Sequence, residues 1–274
     1  MCVKVVSLSP IVKLDARETF DVLKAVPIEL AVVRLQDLVL KSSFKFKKTF
    51  RKVVSAGGLH NFLGFFGQIL LSLIMRDEIV ARYKPERYAV AINSLMPDFY
   101  TTIDGETYEG EYALSWKEIN RIHSQNKQLV ALCPRYKPIG LVKGSTEKQI
   151  EFHVDLLKAL GISAFVFHVG DFFRYGDPDM IRKARRFASK IRKHAECLIL
   201  YGMGSQRRLL EFSFADIYVS FNHFVTAKNG MKFVGTKKTK YTGGYESKIM
   251  TKNFIEMYKN VKLLNKQTKL LAWK

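Results

Sequence analysis

The feature that most constrains this chain is an alternation. Short runs rich in Val, Ile, Leu and Phe are each followed by a longer, charged segment with helical spacing. Strands separated by crossover helices make a parallel sheet, because parallel neighbours need a connection of a dozen residues or more. The runs are Val3 to Ser9, Glu29 to Leu35, Gln68 to Ser72, Asp98 to Asp104, Ile139 to Lys143, Ala164 to Gly170, Cys197 to Gly202 and Asp216 to Phe221. Eight of them predict an α/β fold closed into a (β/α)8 barrel. Residues 1–234 are expected to form the barrel, and residues 235–274 a basic loop around Gly235 to Gly244 followed by a helix, Phe254 to Leu264, packed on it.

Helix starts fit the pattern. Ser145 can cap a helix whose apolar face runs through Ile150, Val154, Leu157 and Leu160 before Gly161 ends it. Asp177-Pro178 reads as a cap with proline in the first turn.

Lysine and arginine number 45 against 25 acidic residues, a net charge of +20 over 274 residues. With 47% hydrophobic residues the chain can fill a core, so the surplus belongs to a folded domain and not to a disordered basic tail. Charge of this sign points to a polyanion such as a nucleic acid. It gathers in three places: Lys41 to Lys52, Ile181 to His194, and Lys232 to Lys274. Arg182, Arg185 and Arg186 on the second, with Lys237, Lys238 and Lys240 on the third, are candidate RNA contacts. For the arginines the competing reading is the solvated outer face of a barrel helix.

Cys2, Cys133 and Cys197 show no C-x2-C spacing, which excludes a disulfide framework and a cysteine-rich zinc site. No metal and no cofactor is expected. The apolar run from Phe62 to Met75 is too short to span a bilayer, and the start of the chain lacks a signal-peptide cleavage site, so a cytoplasmic protein is expected.

In a (β/α)8 barrel the chemistry lies at the C-terminal ends of the strands. The residues expected there include Ser72, Asp104 with Glu106, Lys143-Gly144, His168 with Asp171, Tyr201-Gly202-Met203-Gly204, and Ser220 with Asn222 and His223. Asp104 can accept two ring N–H groups from a purine-like base, or cap a turn. His168 can be a ligand or an acid/base group, with a core histidine as the default reading, and Lys143 can pair with Asp104 or Asp171.

Several segments, in order, resemble the tRNA-guanine transglycosylases. Ala56-Gly57-Gly58-Leu59-His60-Asn61-Phe62 resembles that family's GGLH-x-F motif, and Pro85-Glu86-Arg87 followed by Asp98 and Asp104 its PER helix, next strand and base-recognising aspartate. Gly140-Leu141-Val142-Lys143-Gly144 is similar to its G-I-V-Q-G strand. Tyr201-Gly202-Met203-Gly204, Asp216 and Lys228-Asn229-Gly230 with Phe233 are similar to its M-G-V-G, D-x-F-D and R-N-G-x-x-F segments. The resemblance covers roughly residues 30 to 233.

It implies a barrel that handles guanine or a 7-deazaguanine in tRNA, with DNA the less favoured polymer. The implied base-binding set is Asp104, Lys143, Gly144, His168, Tyr201, Gly202 and Met203. The departures are as informative. The nucleophilic aspartate falls on Val219, the second catalytic aspartate on Ser72, the base-reading glutamine on Lys143, and the family's zinc cysteines are missing. Asp216 and Asp171 are the remaining carboxylates that can be recruited. The resemblance therefore implies a tRNA-modifying paralogue that does not exchange bases and acts on a deazaguanine nitrile already in tRNA, as the archaeosine synthase branch does. The alternatives are a non-catalytic tRNA-binding subunit of an oligomer with an active transglycosylase, and an active exchanger with a relocated nucleophile.

Overall fold

A computed structural model of the chain describes residues 7–40, 42–173, 176–203, 208–209, 211–242 and 247–271, the side chains of Ser247 and of residues 266–271 aside. Its centre is a closed parallel barrel of eight strands in sequence order. In chain order the elements are β1 (Ser7–Val12), α1 (Val22–Ala25), β2 (Leu30–Arg34), α2 (Lys48–Ser55), α3 (Leu59–Leu63), β3 (Gln68–Ser72), α4 (Asp77–Val80), α5 (Pro85–Leu95), β4 (Phe99–Thr101) and α6 (Tyr112–Leu132). They continue with β5 (Lys137–Leu141), α7 (Glu147–Lys158), β6 (Ala164–His168), α8 (Pro178–Arg192), β7 (Cys197–Tyr201), β8 (Ile217–Ser220) and α9 (Asn222–Lys228). A hairpin of β9 (Met231–Val234) and β10 (Lys237–Lys240) and a long helix α10 (Ser247–Leu271) complete the chain.

The eight expected strands are the eight staves, with two displacements, of which that of the fifth is the smaller: expected from Ile139 to Lys143, β5 is Lys137–Leu141. The first was expected from Val3 to Ser9, whereas β1 is Ser7–Val12, and Val3 lies outside the described residues. Pro10, without an N–H, does not end the strand, because it sits where pairing passes from β8, through Ser7 to Pro10, to β2, through Ile11 and Val12.

Period-two alternation sorts each strand. Leu30, Val32, Leu70, Ile139, Leu141, Val166, Ile199 and Val219 meet inside the barrel, while their neighbours Ala31, Val33, Ile69, Leu71, Phe165, Leu198 and Tyr218 face the helices. This parity decides which side chains reach the mouth. Arg34, Ser72, His168 and Tyr201 continue the inward rows at the ends of their strands, and Lys143 lies two residues beyond Leu141.

Two local readings need correction. Thr146, not Ser145, caps α7, its hydroxyl accepting from the Gln149 N–H, while Ser145 donates to the Gln149 side chain. The stretch expected to be a loop, 235–244, contains β10. Its ladder with β9 pairs Lys237 with Val234 around Gly235, whose positive φ turns the chain there. Asp177 does cap α8, with proline in its first turn. In α10, Ile249, Met250, Phe254, Met257, Val261 and Leu264 are buried in the same cluster as the outward faces of β7 and β8. The expected helical face thus extends well beyond Phe254 to Leu264. No helix among the described residues is long and apolar enough to cross a membrane.

Candidate functional site

A cavity of about 440 Å³ opens at the C-terminal ends of β4, β5 and β6. Of the residues expected at the mouth, it gathers Asp104, Glu106, Lys143, Gly144, His168 and Asp171. The connection after β3 adds Ile74, Met75 and Asp77, and α8 adds Met180, Lys183 and Phe187 from its inner face. The chain as a whole is strongly cationic, yet this lining carries five carboxylates, Asp77, Asp104, Glu106, Glu109 and Asp171, against two lysines.

Its centre is an ion pair. Lys143 Nζ lies 2.8 Å from Asp104 Oδ1, with the lysine side chain 20% exposed. Burial opposes the ammonium charge, but Asp104, with Asp171 and Asp77 behind it, outweighs that cost and holds the lysine pKa above its ordinary value. Lys143 is therefore a cationic donor, not a neutral amine nucleophile. Asp104 is largely used by the protein: Oδ1 also accepts the Gly105 N–H at 2.8 Å, and Oδ2 the Met75 N–H at 3.3 Å. With most of its acceptor capacity engaged, it orients Lys143, which spends one of its three donors on the aspartate.

Lys143 is also fixed through its backbone. Its N–H donates to Nδ1 of His153, a fully buried residue of α7, at 2.9 Å. Burial pushes the His153 pKa down to about 4, so the ring is neutral, and the same Nδ1 lies 3.2 Å from the Lys143 carbonyl oxygen. Opposite Lys143, Glu106 contacts Asp77, and its carboxyl is raised by burial and by the nearby charges of Asp77 and Glu118. His168 Nδ1 stands 3.3 Å from Asp171 Oδ2, with its ring edge-on to Tyr201.

The other expected residues do not reach this cavity. Tyr201 is buried inside the barrel, its hydroxyl against Ser72 and its pKa pushed up to about 12, chiefly by burial. Met203 belongs to the core outside the strands, and Gly204 lies outside the described residues. Gly202 serves the chain itself: at φ +87, a Cβ there would meet the Gly170 backbone at 3.0 Å, so the close approach is between two loops and not to a ligand. Gly144 packs the same way on the first turn of α7, where a Cβ would fall 2.9 Å from the Ile150 nitrogen.

Ser72 and Val219, the positions where the resemblance set the catalytic carboxylates, are both fully buried. Asp216 precedes β8, at the barrel's opposite end, and accepts from Arg192 at 2.9 Å and from the Leu198 N–H at 2.7 Å. Arg182, Arg185 and Arg186 lie along the outer side of α8. Lys237 and Lys240 are exposed on β10, and Lys238 turns in to Asn222 Oδ1 at 3.2 Å.

Arg34 was not anticipated. It crowns β2 at the other side of the mouth, where Asp37 takes Nε and Nη2 at 2.8 and 3.0 Å and the Phe221 ring lies 4.4 Å from the guanidinium. Its only sequence signal was the inward parity of Leu30 and Val32.

These features define a (β/α)8 barrel with a polar, carboxylate-rich pocket over one half of its mouth. No protein-family model matches the chain, and no curated protein matches it.

Proposed function

We propose that this barrel binds a guanine-like base of tRNA in the β4–β6 cavity and belongs to 7-deazaguanine modification without exchanging the base itself. The observation that carries this reading is the Asp104–Lys143 pair on the wall of a cavity of about 440 Å³ at the strand ends. Lys143 presents hydrogen-bond donors where a transglycosylase-like site would carry a glutamine. A purine carbonyl, or the nitrile nitrogen of a 7-cyano-7-deazaguanine, is the acceptor such an ammonium meets and polarises. The rim carboxylates suit the ring N–H groups of the same base.

Base exchange requires a carboxylate beneath the sugar. The positions that resemble those carboxylates hold Ser72 and Val219, enclosed in the barrel. This favours action on a base already in the polymer. The same burial also suits a non-catalytic tRNA-binding subunit, for which a tRNA complex without turnover would be the sign. Of the two carboxylates considered for a relocated nucleophile, Asp171 lines the cavity, whereas Asp216 lies at the far end of the barrel.

The test is incubation with tRNA and radiolabelled guanine, in parallel with tRNA carrying the deazaguanine nitrile and an ammonium salt, whose ammonia adds across the nitrile to give an amidine, read by denaturing gel and by nucleoside mass. The expected result is no incorporation of label and a mass change at the nitrile that Lys143→Ala abolishes. Incorporation of guanine would overturn the proposal.

A further inference from the structure

Two cationic surfaces flank the pocket, and they differ in how much of their charge the protein itself neutralises. Residues 178–193 carry seven lysines and arginines, and five have carboxylate partners. Arg182 pairs with Asp179, Lys183 with Glu109 at 2.5 Å, Arg186 with Glu147 at 3.4 Å, Lys190 with Glu151 at 2.7 Å and Arg192 with Asp216 at 2.9 Å. Residues 42–55 carry five cations and no carboxylate. Of these, Lys47 lies 3.9 Å from Asp15, while Lys45, Lys48, Arg51 and Lys52 are exposed and meet no carboxylate among the described residues.

This second surface is joined to the pocket. Phe44, at the turn before α2, has φ +54, a left-handed conformation that bulky residues seldom adopt. It is held there from one neighbouring segment: Tyr83 Oη and Arg87 Nη2 donate to its carbonyl at 2.9 and 2.7 Å, and the Arg82 guanidinium lies 5.0 Å from its ring. That segment follows directly on Ile74, Met75 and Asp77, which line the cavity. It adds the exposed cations Arg82 and Lys84 between the two.

We propose that this edge, centred on Lys45, Lys48 and Arg51, carries the phosphodiester backbone of the nucleic acid whose base enters the cavity, and that the arginines of α8 do not. The inference rests on the base-binding reading above and assigns the polymer's path. Cations already satisfied within the protein release few counterions on binding, whereas unpartnered ones each add to the salt dependence. A nucleic acid also needs its charge-binding surface beside the pocket and not within it, because the pocket lining is itself anionic and repels phosphate.

The experiment measures binding of an unmodified tRNA transcript to the full chain by filter binding across a KCl series. Three proteins are compared: wild type, the triple variant K45E/K48E/R51E, and the triple variant R182E/R185E/R186E. All changes are on the surface, and thermal melts establish that each protein is folded. The expected result is that the first variant binds at least about tenfold more weakly, with a slope of log affinity against log salt shallower by about three, while the second stays near wild type. Loss in the α8 variant alone, or equal loss in both, overturns the assignment and leaves the base-binding reading standing. No tRNA binding by wild type overturns both. Wild-type binding to phosphatidylserine vesicles in place of tRNA would make the edge a membrane surface, and it too overturns the proposal.

Discussion

Two ion pairs crown the barrel mouth, and only one of them faces the open cavity. Over β2, one edge of the Arg34 guanidinium, Nε and Nη2, is taken up by Asp37 and its face is covered by Phe221, above an interior closed by Tyr201, Ser72 and Val219. Over β4 and β5, Lys143 spends one donor on Asp104 and faces an open cavity. The difference is one of cover. A planar guanidinium matched to a carboxylate and an aromatic ring is a finished structural unit, whereas an ammonium held by one carboxylate remains a recognition group.

The sharpest way to break this contrast is to put charge into the closed half. Val219→Asp is expected to destabilise the fold by at least about 4 kcal/mol, or to abolish soluble expression, because the position is fully buried among apolar side chains inside the barrel. A near-normal melting temperature would mean that this half is open. On the pocket side, Lys143→Met strands the buried Asp104 and is expected to cost about 3 kcal/mol in urea unfolding. The double variant with Asp104→Asn should recover more than half of that loss, and a fully additive pair would show that the two do not act as a unit.

Buried histidines supply a pH test. His153 beneath Lys143 and His223 between the Phe221 and Phe254 rings are held by burial at about 4 and about 3, below the ordinary 6.5. Between those values the unfolded chain binds the protons. Stability is therefore complete above pH 6.5 and falls as the pH drops toward 4, by about 1.4 kcal/mol per unit for each histidine. His223→Phe should flatten that slope, read from urea midpoints at pH 7 and pH 5, and an unchanged slope would remove His223 from the account. The smallest effect expected is at a helix start: Thr146→Ala, which removes the α7 cap beside the pocket, should cost about 1 kcal/mol, while Ser145→Ala leaves the cap in place.

The staves were legible because a parallel strand buried on both faces writes itself as a continuous apolar run, and eight such runs between amphipathic segments leave few folds to choose from. Asp104, Lys143, His168 and Asp171 could be read as mouth residues because each follows such a run. Asp77, Glu109, Lys183 and Met180 could not, since they reach the cavity from α4, a loop and α8 by tertiary packing. His153 was invisible for the same reason: its part depends on where α7 lies against the end of β5. Charge misled in another way. The α8 arginines stand out in the sequence, but Glu147, the partner of Arg186, becomes apparent only when α7 and α8 are set side by side.

The barrel closes where Ser7 to Pro10 pair with Ile217 to Ser220, and α10 covers that seam through its contacts with β1 and α1. During synthesis the first strand therefore waits for nearly the whole chain before its second partner and its cover emerge. Until then β1 presents an unpaired, apolar edge, and the ribosome-bound chain is an open sheet at risk of pairing with its neighbours. Truncations within α10 should accordingly be felt first as poor recovery of soluble protein and only afterwards as altered chemistry at the mouth.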